Sequence, residues 1–332
     1  MIRFSVRFNN DMPATRYAAL AQAAEQAGFD QFWVSDDLFL RGVWPILSAC
    51  AVATRRIELG SCIVNPYTTH PAEIAMQAAA LDELSGGRFN LGIAAGAGEF
   101  MRWIGLPYTR PLATTAATLR ALRALFAGEL PAHTPGAPPG WNDDAYMRFG
   151  TRRIPLYLGA TSPKMTHMIG ELADGGLPLL FPPEHYTAVA ALVAAGAAST
   201  GRDATAIDLA ACIWVSVDAD HTAAEAALRE KIAYYGSAMS DDILARLGVA
   251  RDEMLAIDRM VHEARAMARA MAMVTPAMLQ IGIVGTTADL IPRLEALVAA
   301  GARHLSFGPP LGPDPLAALQ LIGRDIIPYF RS

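Results

Sequence analysis

Between Ile154 and Gly175 the chain reads IPLYLGATSPKMTHMIGELADG, and side-chain bulk almost vanishes at Gly159-Ala160-Thr161-Ser162. Ile154–Leu158 reads as a short apolar strand, and Pro163 opens a helix. A loop this bare leaves backbone N–H groups free at a helix start, where they and the helix dipole suit an anion, most often a phosphate. The same residues also fit a tight turn that holds nothing. Near the N-terminus, Ile2-Arg3-Phe4-Ser5-Val6-Arg7-Phe8 alternates apolar and polar types. Its apolar face packs on helices, which sends Arg7 to the inside of a sheet. A guanidinium stays protonated and cannot serve as a base. Arg7 therefore either binds an anionic substrate group or pairs with a carboxylate such as Glu99 or Asp36. GIAAGAGE (Gly92–Glu99) fails as a GxGxxG signature because Met101 takes the last glycine position. Gly96 and Gly98 suit a close approach to the backbone instead. Glu99 is the nearest carboxylate to that stretch and a candidate proton donor. Asp36 and Asp37, side by side after an apolar run, fit either a reactive site or a capped loop.

The totals bound what these groups can serve. The 332 residues are 53% hydrophobic and 18% charged, enough for a large core, and the net charge of −5 with no Lys/Arg run argues against a nucleic-acid groove. Cys50, Cys62 and Cys212 are too few and too scattered for a disulfide framework, and the histidines show no metal-ligand spacing, so no metal site is expected. The N-terminus lacks a signal-peptide core, and no uncharged apolar run reaches the roughly 18 residues of a membrane span. A cytoplasmic protein acting on a small molecule, with no membrane and no nucleic-acid partner, is the expectation.

Strand-like and helix-like runs alternate from end to end. Ile2–Phe8, Gln31–Ser35, Ile57–Val64, Phe89–Ala95, Ile154–Leu158, Leu177–Phe181, Ile207–Val217 and Ala302–Phe307 are the expected strands. Each has a following helix, the seventh being Thr222–Tyr235. Gly28, Gly86, Gly175 and Gly301 stand where helices should stop. Eight such units favour a closed parallel (β/α)8 barrel, an α/β fold with its loops after the strands on the catalytic face. The whole of residues 1–332 reads as one such domain. Two stretches break the repeat, a proline-rich one at about 128–150 and a helical one at about 237–281, and both are expected as insertions over the mouth.

Four blocks in order carry a family resemblance: FDQFWVSDDLF (Phe29–Phe39), GSCIVNPYTTHPAEIAMQAAALDELSGGRFNLGIAAG (Gly60–Gly96), the stretch Ile154–Gly175, and VGTTADLIPRLEALVAAGARHLSFGPPLGPDPLAALQLIGRDIIPYF (Val284–Phe330). Together they resemble the luciferase-like flavin and deazaflavin oxidoreductases, and within them the methylenetetrahydromethanopterin reductase-like proteins. The resemblance implies coenzyme F(420) or FMN at the barrel mouth and hydride transfer with F(420), or alternatively an FMN-dependent monooxygenation. It implies that Gly159, Ala160, Thr161 and Ser162 take the cofactor phosphate. It further implies that Cys62, Ile63 and Asn65 back the cofactor ring, with a cis peptide between Cys62 and Ile63, and that Asp36 meets the ring's polar edge. Gly96 joins that cofactor set. Asp37 stands where the deazaflavin enzymes carry histidine, and Arg7 where the methanopterin reductases carry glutamate. Relatives are commonly homodimers.

Overall fold

In the computed structural model, which describes residues 1–332, nine strands follow one another as β1 (Arg3–Phe8), β2 (Gln31–Val34), β3 (Glu58–Ser61), β4 (Phe89–Ile93), β5 (Leu156–Ala160), β6 (Gly175–Pro178), β7 (Asp208–Val217), β8 (Ile283–Gly285) and β9 (His304–Leu311). All pairings are parallel. Strands β1 to β7 and β9 form a ring that the β6–β7 pairing closes, which is the expected eight-stranded (β/α)8 barrel. Helices cover its outside, and a core of 63 buried residues lies mainly between the two layers.

The seventh unit departs from expectation. Strand β8 is extra and pairs only with the last residues of β7, Val215–Val217. The helix that packs into the main core after β7 is Thr287–Ala299, through Leu290, Leu294 and Leu297. The helix His221–Tyr235 instead shares a satellite core with the segment that follows it, through Leu228, Ile232 and Ala233. The excursion therefore begins with helix 221–235 and not at residue 237. Its amphipathic pattern matches that of an outer barrel helix, so periodicity alone could not separate them. The stretch 128–150 starts at the far end of the barrel and returns along the outside to the mouth end. It leaves the helix Pro111–Ala127 at the opposite end, and its Trp141 reaches His70, with ring centroids 5.2 Å apart. It runs as an outer strap. Strand β6 begins at Gly175, two residues earlier than expected: Gly175 pairs with Tyr157 in the ladder and does not stop a helix, and a Cβ there would lie 2.1 Å from Cε1 of Tyr157.

The barrel interior is layered. Charged groups fill the end away from the mouth: Arg3 donates to Glu58 at 2.9 Å and to Asp208 at 2.8 Å, and Tyr157 donates to Asp208 at 2.7 Å. Trp33 and Tyr157 plug the middle, with ring centroids 4.9 Å apart and nearly edge to face. Trp33 lies flat over Gly60, where a Cβ would fall 2.1 Å from its Cε3. Burial works against charge on Asp208, yet His304 and Arg3 hold its carboxyl down to about 2.

Two outcomes follow from this plug. Gly60→Ala should cost about 3 kcal/mol in urea unfolding, the upper end for overpacking, and Trp33→Leu in the same chain should restore part of the loss. A carboxyl held below its unfolded value adds stability that is complete above that value and is lost as pH falls toward the folded one. Asp208 should thus contribute roughly 2 kcal/mol that disappears between about pH 4 and pH 2, and Asp208→Asn should flatten that limb of the stability–pH curve.

Candidate functional site

The loops that follow the strands meet at one mouth. After β5, the backbone N–H groups of Thr161 and Ser162 donate to no protein acceptor. Ser162 caps the helix Pro163–Leu172, its hydroxyl accepting from the N–H of Met165 at 3.4 Å. Gly159 has a different reason to be bare. A Cβ there would meet Cγ2 of Ile63 at 3.0 Å and Cβ of Ala94 at 3.2 Å, so its missing side chain serves the packing between neighbouring strand ends. Ala160 stays in the ladder beside Pro178 and is buried. Of the four residues expected to take a phosphate, Thr161 and Ser162 carry the open donors.

Beyond β3 the chain bulges away from the ladder. The Cys62–Ile63 peptide is cis. Ser61 Oγ accepts from Gly92 N–H at 3.1 Å, and Gly92 is bare because a Cβ would lie 2.0 Å from the Ser61 carbonyl oxygen. Asn65 Oδ1 accepts from the N–H groups of Tyr67 and Thr68 at 3.1 and 3.0 Å. Its Nδ2 donates to no protein group and is not sealed in. Gly96, at φ 73°, packs against that carboxamide. Asn65 therefore offers one open donor on the β3 side of the mouth, and Thr161 and Ser162 offer two on the β5 side.

Arg7 is 5% exposed and points into the barrel as the alternation requires. Its Nε donates to Ser306 Oγ at 3.1 Å and one Nη to the Ile213 carbonyl at 3.0 Å. Gly308 is bare to admit it; a Cβ there would fall 2.4 Å from that Nη. Cys62 and Cys212 lie close by, and burial pushes the Cys62 thiol up to about 12 and the Cys212 thiol up as well. The expected pairing of Arg7 with Glu99 or Asp36 does not occur. Glu99 is exposed on the short helix Gly98–Trp103. Asp36 Oδ1 accepts from the N–H of Val43 at 3.3 Å and so serves the start of the helix Val43–Ala53.

Asp37, not Asp36, lines the main cavity, a space of about 750 Å³ above the mouth. Burial pushes its carboxyl upward, against a 3.3 Å hydrogen bond from Ser35. Phe39, Phe100 and Trp103 face the same space, and the Phe100 and Trp103 rings lie 4.7 Å apart. From helix 221–235 come Lys231 and Tyr235, with Lys231 Nζ 3.7 Å from the centre of the Tyr235 ring. Sequence reasoning missed Lys231. The available signal was composition: the chain carries only two lysines, Lys164 and Lys231, among 27 basic residues.

Residues 3–304 match the family model described as luciferase-like monooxygenase. The 5,10-methylenetetrahydromethanopterin reductase of Methanolobus tindarius is 33% identical over 325 residues, covering 98% of this chain and 99% of the relative. The enzyme of the same name from Archaeoglobus fulgidus is 32% identical over 337 residues, covering 99% and 100%. The solved structure of the coenzyme F(420)-dependent tetrahydromethanopterin reductase from Methanopyrus kandleri superposes with a TM-score of 0.89 at 28% identity, covering 99% of each chain. With a closed barrel, this mouth and a match over nearly its whole length, the chain belongs to the luciferase-like monooxygenase family.

Proposed function

We propose that this protein is an oxidoreductase that binds coenzyme F(420) at the barrel mouth and uses it on a small organic substrate in the cavity above. The observation that carries this reading is the set of open donors on one mouth, Thr161 N–H, Ser162 N–H and Asn65 Nδ2, at the same end of the barrel as an aromatic-walled cavity. The relatives named as F(420)-dependent support the same choice of cofactor. The donor set fits the group: two neutral amides at a helix start suit a phosphoryl oxygen, and Phe39, Phe100 and Trp103 suit planar rings.

When bound, the deazaflavin supplies or accepts the hydride. Everything else falls to the chain. Thr161 and Ser162 hold the phosphate, Asn65 Nδ2 donates to the polar body of the cofactor, and Ile63 backs it with Gly159 behind. The aromatic walls exclude water and fix the substrate against the mouth, which favours reaction through positioning. Asp37, whose carboxyl burial pushes upward, is the group to hold a proton for the substrate. No helix is long and apolar enough to cross a membrane, and all three cysteines are free. A homodimer working in the cytoplasm is part of the same reading.

Titration with F(420), followed by quenching of its fluorescence, should saturate at a single site with a Kd at least tenfold below that for FMN. FMN binding in its place would transfer the reading to a monooxygenase. Gly159→Ala tests the mouth directly. The new methyl displaces Ile63 by a few tenths of an ångström, so cofactor affinity should fall about fivefold to tenfold while the unfolding midpoint in urea hardly moves.

A further inference from the structure

We infer that Arg7 and Lys231 together seat a carboxylate of the substrate at the barrel mouth. This rests on the proposed function and deepens it, since it names the substrate's chemical class. Neither cation forms an ion pair with any carboxylate of the chain, although sixteen other pairs exist. Arg7 spends Nε and one Nη on Ser306 and Ile213, while its Nη1 donates to no protein oxygen and is not sealed in; the Cys62 thiol is the remaining polar side chain beside the guanidinium. Lys231 Nζ makes no hydrogen bond and rests over aromatic rings, 3.7 Å from the centre of Tyr235 and 5.4 Å from that of Trp214. Arg7 is buried without a carboxylate partner, which is costly, and a bound anion removes that cost.

The two cations converge on the same stretch of β7: Arg7 donates to the Ile213 carbonyl, and Lys231 lies over the ring of the next residue, Trp214. Burial pushes Lys231 down to about 8, Asp11 and Asp37 oppose that shift, and Arg7 adds to it. An anion between them reverses the effect of burial and of Arg7. The groups that face Lys231 come from several elements: Arg7 on β1, Asp11 and Asp37 on the loops after β1 and β2, Trp214 on β7, and Glu230 and Tyr235 on its own helix. Asp11 and Asp37 border the same cavity, and so do the Phe39, Phe100 and Trp103 rings, which suit the organic body of a carboxylic acid as inorganic phosphate does not. The guanidinium nitrogen that meets no protein oxygen, Nη1, can donate to one oxygen of that carboxylate. The cavity therefore suits an organic carboxylate better than inorganic phosphate.

The test uses benzoate, its uncharged analogue benzamide and inorganic phosphate as probes, measured by calorimetry on the whole chain with and without F(420). Benzoate should bind at least tenfold more tightly than benzamide or phosphate, and its affinity should fall as pH rises above about 8. Arg7→Gln and Lys231→Met should each weaken benzoate at least tenfold, Lys231→Met should leave the F(420) titration within twofold, and Arg7→Lys should retain part of the affinity. Lys231→Met borders the cavity and keeps the result readable if Arg7→Gln fails to fold. Equal binding of benzoate and benzamide, phosphate binding as tightly as benzoate, or unchanged benzoate affinity in Lys231→Met would each overturn the inference. A failure of F(420) to bind would strike the cofactor reading alone, because carboxylate selectivity is also read on the cofactor-free protein.

Discussion

A guanidinium held inside a closed sheet without a counter-ion constrains most of this barrel. Arg7 is tolerable there because its donors meet Ser306 and a main-chain carbonyl, and because guanidinium gives up its hydration more cheaply than an ammonium does. The support continues downward. Ser306 joins Ser5 at 2.8 Å, Ser5 joins His304 at 2.8 Å, and His304 joins Asp208 at 2.9 Å, so a hydrogen-bonded line ties the mouth to the charged floor. Its members sit on β1, β7 and β9, the strands whose pairing in the ring brings them side by side. Gly308 completes the arrangement by leaving room at the one place where a side chain would collide with Arg7. A local choice at position 7 thus fixes residue types on three strands.

Much of this was legible in the sequence because it follows from short periods. The two-residue alternation of β1 placed Arg7 inside, and the recurring strand–helix order gave the closed barrel. The bare run at 159–162 marked a real strand-to-helix junction with free amides. Illegible were features that depend on which chain segments meet. Helix 221–235 has the pattern of an outer helix but packs with the segment after it, so its faces had to be seen against their neighbours. The order of Asp36 and Asp37 was likewise invisible. Adjacent carboxylates point in different directions, and a contact with Val43, six residues beyond Asp37, decides that Asp36 serves the helix and Asp37 the cavity.

The excursion after β7 has a functional consequence that its helix content does not reveal. Strand β8 pairs beyond the ring, on the mouth side of β7, and helix 221–235, which follows β7, delivers Lys231 and Tyr235 to a cavity otherwise built by the loops after β1, β2, β4 and β9. The barrel supplies the common floor, whereas one wall comes from an element with its own small core of 15 residues. Substrate choice in such an architecture can change without disturbing the ring, since the satellite core and the main core share few residues.

The glycines show why bareness is a weak sign of ligand clearance when taken alone. Gly60, Gly92, Gly159, Gly175 and Gly308 all lack side chains because something in the protein occupies that space: Trp33, the Ser61 carbonyl, Ile63, Tyr157 and Arg7 respectively. Each sits on a strand of the ring and faces its inside or its rim. What separates a ligand site from such packing is not the missing Cβ but an unsatisfied polar group beside it. By that measure the loop after β5 narrows to Thr161 and Ser162, the bulge after β3 narrows to Asn65, and the floor narrows to the open Nη1 of Arg7. The mouth is therefore defined by donors that the fold leaves unused, Lys231 Nζ among them, and these set the charge and shape of what can bind there.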